Sequence, residues 1–223
     1  MTKTANLDQK VIAIDGPSAS GKGTVAARVA AALGWAYLDS GALYRLTALY
    51  AQRQGVSPEN ESAVAQLAQQ LPVRFTQEHI WLDDEAVDDA IRTEEIGMNA
   101  SVIAQWQSVR QALLQRQRDF LTDQGLVADG RDMASVVFPN ARLKVFLTAD
   151  ARVRAARRAK QLGLPEEGDA FDGILRDIEK RDEADRNRSF APLQADPDAK
   201  RLDTSALSIE ESVQKVLDWY RQI

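Results

Sequence analysis

Gly16, Pro17, Ser18, Ala19, Ser20, Gly21, Lys22, Gly23 and Thr24 form the stretch that most restricts how this chain can fold. Ahead of it, Lys10-Val-Ile-Ala-Ile-Asp15 is a short β-branched run of the kind that forms a buried strand. Behind it, Val25, Val29 and Leu33 recur at helical spacing among alanines that favour helix. Strand, glycine-rich loop and helix in that order, with a lysine at the helix start, are the context of a phosphate-binding loop. Gly16 and Gly21 let backbone N–H groups approach an anion closely. The helix that follows turns its free N–H groups and the positive end of its dipole to the same point. Lys22 adds a full charge for the β- and γ-phosphates of a nucleotide. A glycine-rich turn opening an ordinary helix is the competing reading, and it leaves the agreement of all three parts unexplained.

The residue after Lys22 is Gly23, and Thr24 comes one place later. A nucleotide-driven switch protein needs Ser or Thr directly after the lysine, and an Asn-Lys-x-Asp guanine signature that this chain lacks. Lys-Gly-Thr is similar instead to the loop of nucleoside monophosphate kinases.

The 223 residues suit one α/β domain carrying an insertion, and 44% hydrophobic content suffices for a core. A net charge of -5 argues against a general nucleic-acid binder. The chain has no cysteine, which excludes disulfides, thiolate catalysis and cysteine-ligated zinc. Met1 to Gln9 is polar and lacks a signal core, and no run of about 18 apolar residues occurs, so a cytoplasmic protein without a membrane span is expected. No extended apolar surface stripe stands out, and a monomer is expected.

Gly34-Trp-Ala-Tyr-Leu38 reads as a second strand, followed by Asp39 and a helix from Ala42. Ligands of open α/β sheets bind at the carboxyl ends of strands, which places Ser40 and Arg45 near an acceptor. Each also has a plain reading, Ser40 as an N-cap and Arg45 as a solvated charge. Leu71 to Thr76 and His79 to Asp83 read as two short strands with a turn at Gln77 and Glu78, and Glu85 to Val87 as a further short segment, together a small antiparallel insertion. His79 is the sole histidine and reads as structural. Asp83, Asp84, Asp88 and Asp89 lack calcium-loop spacing and read as solvated turn charge. Thr93 caps a helix that runs to about Ser101. A longer helix is expected from Gln107 to Thr122 on a stripe of Val109, Leu113, Phe120 and Leu121, with Arg110 beside the stripe.

Gly125 to Asp129 is a short apolar strand ending on an aspartate, as in the element that holds or orients magnesium-bound water. Gly130 is expected to turn the chain, setting Arg131 and Asp132 at the sheet edge. Leu143 to Leu147 is a further parallel strand. Arg154, Arg157 and Arg158 share one helical face, and a second helix aligns Ile174, Ile178, Arg181, Asp185 and Arg188. Charges on that stripe suit a lid over an anion. A surface network of Asp–Arg pairs is the alternative. Lys200 to Thr204 is a last strand, and Ile209, Val213, Val216, Leu217 and Tyr220 mark a closing helix.

Five segments together resemble the bacterial cytidylate kinases over almost the whole chain: Ile14 to Thr24, Leu38 to Arg45, Ile91 to Glu95, Ala128 to Met133 with Val136 to Pro139, and Lys180 to Arg188. Ala134 and the Ala19-Ser20 pair depart from the family pattern, which has Gly and Gly-Ala there. The resemblance implies a doubly wound five-stranded parallel sheet, with a core of about 10–62, 102–150 and 198–223. A nucleotide-acceptor insertion would span about 63–101 and a helical lid about 151–190. It implies transfer of the γ-phosphoryl group of Mg·ATP to CMP or dCMP. Ser40, Arg45, Ser101, Arg110, Arg131, Asp132, Arg181, Asp185 and Arg188 would line the acceptor site. Within that set Ser101, Arg110 and Asp132 would read the cytosine edge, Arg181 and Asp185 the sugar, and Arg45, Arg131 and Arg188 the phosphate. Arg158 would reach ATP from the lid. Lys22, Arg131, Asp132, Arg158 and Arg188 would carry catalysis, and Thr24 and Asp129 would hold Mg²⁺, directly or through water. A kinase for another nucleotide or for dephospho-coenzyme A, or a non-catalytic ATP-binding regulator, are the alternatives.

Overall fold

The computed structural model describes residues 8–76 and 79–223. In chain order the elements are β1 (Val11–Asp15), α1 (Lys22–Leu33), β2 (Ala36–Asp39), α2 (Ser40–Arg53), α3 (Glu61–Gln69), β3 (Val73–Phe75), β4 (Ile80–Leu82), β5 (Glu85–Ala86), α4 (Glu94–Ile103) and α5 (Gln107–Arg118). They continue with β6 (Leu126–Gly130), a π-helical turn (Met133–Val137), β7 (Leu143–Thr148), α6 (Ala151–Leu162), α7 (Asp169–Arg186), β8 (Lys200–Asp203) and α8 (Ile209–Arg221).

The chain divides into two compact units, one made of the segments up to Leu38 and from Phe120 to Ile223, the other of Asp39–Asp119. The first holds a five-stranded parallel sheet in the order β2-β6-β1-β7-β8. Every residue of β1 and β6 is buried, as expected of strands covered on both faces. Ile12, Ile14, Val127, Val145 and Leu147 meet Val25 and Val29 of α1 and Val216 and Leu217 of α8 in one core. A separate apolar cluster of Ala155, Ala159, Phe171 and Ile178 joins α6 to α7, with Ala19 packed against it. Ser208 opens α8 with a complete capping box to Glu211.

The second unit packs α2 on α4 and α3 on α5. Its three-stranded sheet, β3-β4-β5, is antiparallel. The turn expected at Gln77 and Glu78 lies outside the described residues. Thr93 caps α4 as expected, its Oγ1 accepting from Ile96 N–H at 3.4 Å. Among the described residues no helix is long and apolar enough to cross a membrane.

The structure corrects three local expectations. α5 stops at Arg118, so Phe120 and Leu121 lie beyond it and the buried face is Val109, Arg110, Leu113 and Gln117. Gly130 is not a turn; it stays in β6 opposite Asp15, because the β1 ladder runs one residue past Asp129. Asp39, not Ser40, is the N-cap of α2, since its Oδ1 accepts from Ala42 N–H at 3.0 Å while Ser40 is already helical.

Candidate active site

The loop between β1 and α1 is pressed tightly against the sheet. A Cβ on Gly16 would lie 2.1 Å from the Leu147 carbonyl oxygen, so no side chain fits there. Gly21 is the N-cap of α1 at φ 90, a left-handed conformation that glycine adopts without strain. Ala19 takes φ 56, also left-handed, and is held there although it has a Cβ. Lys22 is the first residue of α1, and its Nζ donates to the Pro17 carbonyl at 3.3 Å.

Arginines and a threonine satisfy the loop's oxygens. Arg154 donates to the Ser18 carbonyl at 3.1 Å, Arg157 to the Ser20 carbonyl at 3.2 Å, and Arg131 to Ser18 Oγ at 2.8 Å. Thr204 Oγ1 also donates to the Ser20 carbonyl, at 3.3 Å. Ser20 Oγ itself is fully buried and has no hydrogen-bond partner among the described residues.

Arg131 also reaches α7. Its Nε lies 2.6 Å from Asp185 Oδ2, and Arg188 donates to Asp185 Oδ1. Burial alone would raise the Asp185 carboxyl, but Arg131 and Arg188, with Lys22 contributing, hold it below the usual range. Lys22, Arg131 and Arg188 therefore act on one carboxylate next to the loop. Asp129, at the end of β6, accepts from the Tyr37 hydroxyl at 2.7 Å, and a Cβ on Gly23 would lie 3.8 Å from Asp129 Oδ1. The carboxylate thus borders the start of α1. Asp132 is buried and begins the π-helical turn. Asp15, buried behind it, accepts from Met133 and Ala134 N–H at 2.8 and 2.9 Å.

In α6, Arg158 makes a 3.5 Å hydrogen bond to Gln161, whereas its neighbours Arg154 and Arg157 hold the loop. On α7 the buried polar positions are Asp182 and Asp185, and Arg181 is half-buried. The alternative of a surface Asp–Arg network does not hold, because Asp182 pairs with Arg154 at 2.6 Å with both side chains nearly inaccessible.

In the other unit, Arg45 donates to the Ile91 carbonyl at 3.0 Å, and its guanidinium lies 3.1 Å from where a Cβ on Gly97 would be. Ser101 Oγ donates to the Gly97 carbonyl at 3.0 Å, so Arg45 and Ser101 meet at the same glycine. Arg110 is buried, donates to the Ala104 carbonyl at 2.9 Å and lies over the Tyr44 ring. Ser40 is buried in the first turn of α2.

Sequence reasoning missed Asp15, Tyr37 and Asp182, and assigned Arg154 and Arg157 to a shared face without a task. Asp182 was detectable: from Ile178, positions i+4 and i+7 are Asp182 and Asp185, so both belong to the buried stripe. Asp15 and Tyr37 carried no local signal, since their partners are 92 or more residues away.

A parallel sheet with this loop on its central strand, and basic side chains gathered beside the loop, defines a P-loop phosphate-binding protein. A family model described as cytidylate kinase matches residues 12–222. A cytidylate kinase of Neisseria gonorrhoeae is 69% identical over 215 residues, covering 96% of this chain and 99% of its own. Cytidylate kinases of Bordetella bronchiseptica and Chromobacterium violaceum are 56% and 54% identical, each over 95% of this chain and at least 95% of their own. The chain belongs to the cytidylate kinase family.

Proposed function

We propose that this member of the cytidylate kinase family moves the γ-phosphoryl group of ATP directly to the phosphate of CMP or dCMP, giving CDP or dCDP and ADP. An acceptor phosphate oxygen bonds to the γ-phosphorus as the bridge to the β-phosphate breaks, and ADP leaves. The observation that carries the phosphotransfer chemistry is the convergence of Arg131 and Arg188 on Asp185, with Arg131 also bonded to Ser18 of the loop. Phosphoryl transfer needs positioning and charge neutralisation more than a strong base. Arginine forks match phosphate oxygens, and so do the loop's N–H groups, whose carbonyls Arg154 and Arg157 keep occupied.

The acceptor roles fall on Ser40, Arg45, Ser101, Arg110, Arg131, Asp132, Arg181, Asp185 and Arg188. Asp132 accepts from the cytosine amino group, a contact that uracil cannot offer. Arg158 engages ATP, and α6 and α7 exclude water from the transferring group.

Magnesium is read from chemistry. Asp129 and Thr24 offer hard oxygen donors at the start of α1, which suits the ion. When bound, Mg²⁺ neutralises charge on the β- and γ-phosphates. The protein is read as a cytoplasmic monomer with no nucleic-acid or membrane partner.

Phosphorus NMR of the protein with Mg·ATP and CMP tests the reaction. CDP and ADP resonances should grow in equal amounts. ADP with inorganic phosphate and no CDP would reject the transfer.

A further inference from the structure

The buried carboxylate of Asp15 has no place in the phosphate or acceptor roles described above. It is the last residue of β1 and directly precedes Gly16 of the loop. Both of its oxygens are engaged by backbone: Oδ1 takes the N–H of Met133 at 2.8 Å and Oδ2 that of Ala134 at 2.9 Å. Those are the first two N–H groups of the π-helical turn, where a helix has no internal partners to offer. On the other side, the Asp132 carbonyl accepts from Val136 N–H at 2.9 Å and from Val137 N–H at 3.2 Å. The residue after Asp132 is therefore pinned by Asp15 and its own carbonyl by the turn. Gly130, two residues before Asp132, is fixed by the ladder opposite Asp15.

We infer that Asp15 is a positioning residue that holds Asp132 in place for selecting the acceptor base. The inference rests on the reading of Asp132 as the group that accepts from the cytosine amino group. A carboxylate supplies acceptors to both N–H groups at once, whereas an asparagine of the same shape must turn its NH₂ toward one of them. One N–H then loses its partner and the start of the turn shifts. The burial of a carboxylate at this point, with the charge of Asp132 opposing it and that of Arg131 favouring it, is costly for a mere cap.

The test is the ratio of kcat/KM for CMP to that for UMP, measured in wild type, Asp15→Asn, Asp132→Ala and the double variant. Phosphate-binding groups treat both substrates alike, so the ratio isolates base reading. Loss of a base contact should lower it about tenfold in Asp132→Ala. Asp15→Asn should lower it comparably, and the double variant no further. If Asp132→Ala lowers the ratio and Asp15→Asn keeps it within about twofold, in the range of a neutral change, Asp15 does not position Asp132. If Asp132→Ala leaves the ratio unchanged, the base-reading role fails and the positioning role with it. Should Asp15→Asn not fold, Asp15→Ser, smaller and with one acceptor oxygen, replaces it under the same criteria.

Discussion

Arg131 Nε lies 2.6 Å from Asp185 Oδ2, joining the end of β6 to α7 through a nearly buried ion pair. Arg188 contacts the other carboxylate oxygen, so one aspartate orients two guanidinium groups. Asp185→Asn leaves those two charges facing a neutral group in a poorly solvated place. Removing one partner of such a pair costs about 3 kcal/mol, which at this size lowers Tm by roughly 10 °C. Because the folded carboxyl is held below its unfolded value, its stabilisation is complete above pH about 4 and disappears as pH falls through the folded value. Thermal melts should show a gap between variant and wild type at pH 7 that closes in acid. An equal gap at all pH values would contradict this.

Arg188→Ala should lower kcat with CMP by a factor on the order of 10³, the scale of losing a charged donor to the transferring group. The fold should survive, because Asp185 keeps Arg131. Circular dichroism beside steady-state rates separates the two effects. Near-wild-type turnover in a folded variant would remove Arg188 from the chemistry.

Arg154 links the phosphate loop to α7: it holds the Ser18 carbonyl and pairs with Asp182 Oδ2, while Asp182 Oδ1 has no hydrogen-bond partner among the described residues. Arg154→Met strands a buried carboxylate and should cost about 3 kcal/mol or more. Asp182→Leu added to it should restore at least half of that in urea titrations. The KM for ATP should stay raised about fivefold in both, since the bond to Ser18 is lost in both. Recovery of ATP affinity together with stability would show that Arg154 acts on folding alone.

Burial pushes the Asp15 carboxyl up to about 6, with the Met133 and Ala134 N–H groups and Arg131 opposing and Asp132 adding to the rise. The folded protein then binds the proton more tightly than the unfolded chain, so this group's contribution falls as pH rises from about 4 to 6 and is lowest above that. Over that window the stability of wild type relative to Asp15→Asn should fall by about 3 kcal/mol. Urea titrations between pH 4 and 7 measure it. A constant difference would mean that Asp15 titrates as it does in the unfolded chain.

The phosphate loop was legible because its strand, glycines, lysine and helix all act locally and agree. Thr93 was legible as a cap for the same reason. The strands of the five-stranded sheet were legible one by one as short apolar runs, whereas their joining into one doubly wound sheet was what the family resemblance implied. Asp15 was not legible, since its partners lie 118 and 119 residues away and nothing beside it marks them. The π-helical turn after Asp132 escaped notice because it depends on that distant carboxylate, not on its own propensity. The end of α5 was placed too late because Phe120 and Leu121 fit the apolar period although they lie past the helix. At Asp182 a pairing with Arg154, 28 residues back, made an acid as buried as its apolar neighbour Ile178.

Acceptor choice decides the matter most directly. ADP formation from Mg·ATP should be measured with CMP, dCMP, UMP, AMP, GMP and dephospho-coenzyme A under one set of conditions. CMP and dCMP should exceed every other acceptor in kcat/KM by at least roughly a hundredfold, as a site that hydrogen-bonds its base requires. Equal or better turnover with any other acceptor, or ATP binding without turnover on CMP, would contradict the assignment.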